Sequence, residues 1–206
     1  MKELHIVVPD LSPREVHGVP GLNLELIHTF LDDREVTKRS LEHYDLVFCP
    51  GNSFGHMTGG FDKGVIDVWG DDVQEAVLRM IADKYFGMMP VGCSEVVIVN
   101  NVGFVYTPTM FVPTRYTDVL QPYMAMYSAL IAVRKAEAEV REFHRALCPL
   151  YCAGTGGSTA DQALTQQNHA IHEYMMGVSG GFNGCHNLFK DGTNRYMKLA
   201  RSRWHD

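Results

Sequence analysis

The stretch from residue 44 to residue 69 most limits what this chain can fold into. YDLVFC is a short apolar run of the kind that forms a buried strand. The next eleven residues, PGNSFGHMTGG, contain Gly51, Gly55, Gly59 and Gly60. From Asp62 onward a helical pattern resumes, with Val65, Ile66 and Trp69 on one face. A strand that runs through a glycine-rich turn into a helix is the opening of an α/β unit. The glycines reach dihedrals closed to other residues, and a helix amino terminus behind such a turn favours bound phosphate. The same arrangement serves as a plain connector about as often, and neither the GxGxxG nor the P-loop spacing is present.

A second unit of the same kind follows. RALCPLYCA, residues 145–153, reads as a buried strand. It leads into Gly154-Thr155-Gly156-Gly157-Ser158-Thr159-Ala160 and then a helix over 161–176. Two glycine turns after two strands lie at the same edge of an open sheet, the carboxyl edge where α/β proteins bind ligands. Two backbone cradles there suit a diphosphate better than a single phosphate.

Along the rest of the chain, apolar runs predict strands at 4–8, 22–27, 45–49, 95–99, 104–107 and 147–152, and helices at 32–42, 62–69, 72–86, 118–144 and 161–176. Asn100-Asn101-Val102-Gly103 separates two of the strands with turn residues, so that pair is expected to be a hairpin and the sheet mixed. Strands alternating with helices give an α/β fold, a three-layer α/β/α sandwich.

With 206 residues and 46% hydrophobic content, the chain is expected to form one domain over 1–206, with a loose, locally basic tail from about 177. A net charge of −6 and an isoelectric point near 5.9 argue against a dedicated nucleic-acid binder. The five cysteines, at 49, 93, 148, 152 and 185, form no CxxC pair, and three of them sit in apolar strand runs, as is usual for the cytosol. The ten histidines are scattered. His169 and His172 share a helix face without an obvious third ligand, so neither a metal nor another cofactor is expected. No apolar run approaches the length needed to cross a bilayer core of roughly 30 Å, and the amino terminus does not read as a signal peptide. A cytoplasmic location is expected, and the oligomeric state is left open.

Taken together, these residues resemble the macro domain, a family that binds ADP-ribose. The family's strand-terminal Asn, glycine loop and helix-opening Asp are matched by Asn52, Gly59-Gly60 and Asp62. The segment Thr107-Pro108-Thr109-Met110-Phe111-Val112-Pro113 is similar to the PTMxVP segment of a bacterial and phage subgroup, whose first loop reads NSFGxMxGG. Gly154-Thr155-Gly156 is similar to the family's second, phosphate-holding turn. The resemblance implies ADP-ribose or an ADP-ribosylated substrate as partner, with nucleic acid only as a modified substrate. It implies a ligand site of Gly51, Ser53, Gly59, Gly60, Phe61, Gly154, Thr155, Gly156, Gly157 and Ser158. In the family's hydrolase branch the Asn positions the distal ribose and the Asp orients or activates water, roles that fall on Asn52 and Asp62.

The sequence departs from the family in two places. The Asp that usually contacts adenine after the second strand is missing from Leu26-Ile27-His28-Thr29-Phe30, leaving Asp32 or Asp33 as substitutes. The aromatic after the second loop is replaced by Ser158 and Thr159. Three functions stand: a hydrolase of ADP-ribosyl linkages (glycohydrolase, esterase or ADP-ribose phosphate phosphatase), a non-catalytic reader of ADP-ribose, and a degenerate module for interactions. Plainer readings stand beside each residue. Asp62 at a helix start suits capping, Asn52 suits loop backbone, and a lone His56 suits solvent. Met110, Phe111 and Tyr116 suit the core, as do Met124 and Met126 with their tyrosine neighbours, and Lys63 is expected to point away from Asp62.

Overall fold

The computed structural model describes residues 1–9, 16, 19–27, 41, 43–115 and 120–177. Of the helix expected over 32–42 only Leu41 is among these residues; Asp32 and Asp33 lie outside them, as do Tyr116, Cys185 and the basic tail. The strands are β1 (Glu3–Val7), β2 (Asn23–Ile27), β3 (Leu46–Asn52), β4 (Glu95–Val99), β5 (Val102–Met110) and β6 (Arg145–Pro149). The helices among the described residues are α1 (Gly60–Trp69), α2 (Asp72–Tyr85), α3 (Gln121–Glu139) and α4 (Ala160–Met176).

The strands form one six-stranded sheet in the order β2-β1-β6-β3-β5-β4. All neighbours are parallel except β4 and β5. The sheet is therefore mixed, as the hairpin reading requires. The hairpin turn is tighter than expected. Asn100 and Asn101 alone make it, with φ of 49° and 62°, the two positive dihedrals of a type I′ turn. Gly103 lies within β5, where a Cβ would come within 2.7 Å of the Phe143 ring.

Alternate residues of β3 bury on opposite faces, which makes this a three-layer α/β/α sandwich. Leu46 and Phe48 join the core built with α3 and α4, including Met126, Leu130, Leu164 and Ile171. Val47 and Cys49 join the core built with α1 and α2, including Val65, Val77 and Ile81. All four β3 side chains are fully buried, as expected for a central parallel strand covered on both faces.

Two element boundaries differ from the sequence reading in ways that shape the site. β3 runs three residues past Cys49, because Pro50, Gly51 and Asn52 still pair with β5. It pairs with β6 only over Leu46 and Val47, so Pro50 costs no second ladder. Helix α3 stops at Glu139 rather than 144. Beyond it, the amides of His144 and Arg145 donate to the Asp45 carboxylate, and the Arg141 guanidinium donates to the carbonyls of Asp45 and Asn101. These bonds tie the chain to the sheet in place of another helical turn.

Candidate functional site

β3 and β6 are adjacent and parallel, so the turns that follow them lie side by side at the carboxyl edge of the sheet. The first turn is folded around Asn52, whose side chain is only 7% exposed. Its Oδ1 accepts from the Phe54 amide at 3.0 Å, and its Nδ2 donates to the His56 carbonyl at 2.7 Å. This is the Asx geometry by which a short amide shapes a turn from within. The Asn52 backbone is held by the Tyr106 hydroxyl, which accepts from the amide at 3.1 Å and donates to the carbonyl at 2.8 Å.

Gly51 makes that contact with Tyr106 feasible. A Cβ there would lie 2.1 Å from the Tyr106 hydroxyl oxygen, so Gly51 is buried against the ring rather than open to a ligand. Gly55, with φ of 79°, is likewise packed, against Ile81, Leu78 and Val77. Gly59 and Gly60 are different: both are exposed, and a Cβ on either meets nothing within 4 Å. Gly59 is the N-cap of α1, with no side chain bonded to the helix amides. That terminus therefore presents its polar end without a protein cap.

Asp62 sits in the first turn of α1 but does not cap it. The side chain is buried, 6% exposed, and its Oδ1 has no hydrogen-bond partner. Burial pushes the carboxyl well above its ordinary 3.8, because taking the group out of water disfavours its charged form. The Cys49 thiol and the Tyr106 hydroxyl beneath the turn are also pushed up, mainly by burial and further by Asp62. Ser53 Oγ is a second buried atom without a partner, while the Ser53 amide donates to the carbonyls of Met110 and Phe111. Phe61 is half-buried and packs against the core. His56 is exposed, and Lys63 pairs with Asp67 one helical turn on, away from Asp62.

The second turn is held from below by Gln167 on α4. Its Oε1 accepts from the Tyr151 amide, and its Nε2 donates to the Pro149 carbonyl. Cys152 adopts a left-handed φ of 62°, and Gly156 fits over it, since a Cβ there would come within 2.6 Å of the Cys152 carbonyl oxygen. The Gly157 and Ser158 amides bond back to Gly154 and Cys152. Thr159 and Gln162 form a reciprocal capping box that closes the start of α4. Gly154 and Thr155 remain exposed, and a Cβ on Gly154 meets nothing within 4 Å.

The structure thus brings Asn52, Ser53, Gly59, Gly60 and Asp62 to one turn and Gly154 to Ser158 to its neighbour. Thr107 and Thr109 are buried in β5, and Met110 is in the core. Phe111 is 49% exposed and meets Phe54 edge to face, with ring centroids 5.0 Å apart, so it does not fill the core. Met126 is buried, whereas Met124 is exposed. Sequence reasoning missed the Thr159 and Gln162 box, although its T-x-x-Q spacing was there to be read. It also missed Tyr106 and Gln167, whose roles come from distant elements. Among the described residues no group of three His, Cys, Asp or Glu is placed to hold a metal ion, and no helix is long and apolar enough to cross a membrane.

No protein-family model matches the chain, and no curated protein does. Solved structures do. The macrodomain of Mycobacterium tuberculosis DarG superposes with a TM-score of 0.53 at 12% identity, covering 64% of this chain and 84% of that one. The Oceanobacillus iheyensis macrodomain with ADP gives 0.52 at 16% identity, covering 64% and 70%. A point mutant of that macrodomain with ADPR gives 0.51 at 15%, covering 65% and 72%. At these identities the likeness establishes the fold.

Proposed function

We propose that this chain, which has the fold of a macrodomain, binds ADP-ribose across the two turns at the carboxyl ends of β3 and β6. One observation carries the reading: adjacent parallel strands each end in a glycine turn with open positions, Gly59 and Gly60 on one and Gly154 on the other. The first turn adds the uncapped amino terminus of α1, which favours negative charge. Two such cradles side by side match a diphosphate, and the macrodomains of like fold include ones solved with ADP and with ADPR. In this reading Ser53, Phe61, Thr155, Gly156, Gly157 and Ser158 shape or line the cradles, and Gly51 acts through Tyr106.

The geometry favours binding without turnover over hydrolysis. The Asn52 amide bonds the turn at both ends, and burial raises the Asp62 carboxyl well above its ordinary range, which disfavours the charged form that would act as a base toward water. One observation supports hydrolysis as a second reading. Asp62 Oδ1 and Ser53 Oγ are buried without partners, as groups awaiting a substrate would be. A protonated Asp62 would then supply a proton to the leaving oxygen rather than take one from water.

Titration calorimetry with ADP-ribose, AMP and ribose phosphate tests the binding reading. ADP-ribose is expected to bind most tightly, and the absence of heat and of thermal shift at millimolar ADP-ribose would sink it. Release of ADP-ribose from an ADP-ribosylated carboxylate, abolished in Asp62→Ala while ADP-ribose binding persists, would establish the hydrolase instead.

A further inference from the structure

We propose that Arg115 is the cationic clamp of the second turn, holding a phosphate group of the ligand that the turn's own amides only partly satisfy. The inference rests on the binding reading above and adds a specificity-determining residue to it. Arg115 follows β5 in sequence, yet its side chain lies along the turn after β6. A Cβ on Gly157 would stand 3.5 Å from Arg115 Cγ, 3.6 Å from Cδ and 3.8 Å from Nε. Gly157 has φ of 82°, so a side chain there would be both strained and crowded by the arginine stem.

The donors of this turn explain why a cation is needed. The Gly157 amide bonds to Gly154, the Ser158 amide to Cys152, and the Thr159 amide to Gln162. The Gln162 amide, which an uncapped helix would offer to an anion, is taken by Thr159 Oγ1. The cap of α4 thus takes the Gln162 amide for the protein itself. The amides of Gly154, Thr155 and Gly156 have no partner among the described residues. Of these, Gly154 and Thr155 are exposed, and neutral amides alone would leave a phosphate's charge uncompensated. Arg115 is exposed, lies along Gly157 in the same turn, and is without a carboxylate partner among the described residues. A guanidinium fork offers paired donors to phosphate oxygens, and such bonds are about twice as strong as neutral ones.

The test is calorimetric titration of full-length wild type, Arg115→Ala, Arg115→Lys and the distant control Lys135→Ala with ADP-ribose and with adenosine, at low and high salt. The clamp predicts about a tenfold or greater loss of ADP-ribose affinity in Arg115→Ala, partial recovery in Arg115→Lys, and a shallower salt dependence in Arg115→Ala. Adenosine affinity and melting temperature are expected to stay at wild-type values. If wild type binds ADP-ribose and Arg115→Ala binds it equally well, the clamp is wrong and the binding reading stands. Equal losses for ADP-ribose and adenosine would show that Arg115 shapes the site without holding phosphate, and would also overturn the clamp. If wild type binds no ADP-ribose, both fall together.

Discussion

The two glycine turns look alike in sequence and are built in opposite ways. The turn after β3 is held from inside. Asn52 bonds its own backbone, Gly51 admits the Tyr106 ring, and Gly55 seats on Ile81 and Leu78, so two of its four glycines serve packing. The turn after β6 is held from below by Gln167 and from the side by the Thr159 cap, which leaves Gly154 and Thr155 facing outward. Glycine content therefore does not report openness. At Gly51, Gly55 and Gly156 it records close approach of the protein to itself, and at Gly59, Gly60 and Gly154 it leaves room for a ligand.

That contrast breaks first at Gly51. A Cβ forced to within 2.1 Å of the Tyr106 hydroxyl displaces the ring and its two bonds to Asn52, so Gly51→Ala should lose about 3 kcal/mol of stability. Gly59→Ala, eight residues on in the same turn, meets open space and should stay within about 0.5 kcal/mol of wild type. Thermal unfolding of the pair decides the point, and equal midpoints would mean that the packing role of Gly51 is misread.

Gly154→Glu sharpens the other half of the comparison. The position is exposed with nothing within 4 Å of a Cβ, so the fold should be retained. A carboxylate in the phosphate cradle should weaken ADP-ribose binding about a hundredfold by repulsion. A calorimetric titration showing undiminished affinity would place the ligand elsewhere.

Asp62 gives the first turn a pH signature that the second lacks. Its folded pKa is raised above the ordinary 3.8, so between those values the folded chain keeps a proton that the unfolded chain has released. The proton's contribution to stability is complete below about pH 4 and is lost as pH rises toward the folded pKa, at up to about 1.4 kcal/mol per pH unit. Asp62→Asn cannot ionise. Its melting temperature should gain on wild type as pH is raised from about 4 to 7, whereas parallel profiles would show that Asp62 is charged in the fold.

The smallest effect belongs to the second turn. Thr159→Ala removes one side of the capping box and should lower stability by about 1 kcal/mol while leaving ADP-ribose affinity unchanged. Tighter binding in this variant would show that the freed α4 amide joins the cradle.

Much of the architecture was legible because its signals are local. The run 95–99 predicts β4 residue for residue, the Asn100-Asn101 turn predicts the antiparallel pair, and the two strand-to-turn-to-helix units fall where the glycines put them. The overrun of α3 to 144 was not legible, because what ends the helix is the Asp45 carboxylate, about a hundred residues away in sequence. Asp62 misled for a related reason. An acid in a first helical turn reads as a dipole partner, but the turn carries it under the loop toward Cys49 and Tyr106, where burial pushes its pKa up and disfavours the charged form.

By itself, then, the sequence determined the order of strands and helices, the mixed sheet and the place of both turns. These follow from dihedral freedom and from apolar spacing along a few neighbouring residues. Only the tertiary structure decided which glycines are filled by protein and which stand open, which way the Asp62 pKa is pushed, and that Arg115 lies on a turn more than thirty residues beyond it. Those properties are sums over contacts between distant parts of the chain. A side chain's solvation, and the space left beside a glycine, exist only once β3, β5 and β6 have been laid side by side.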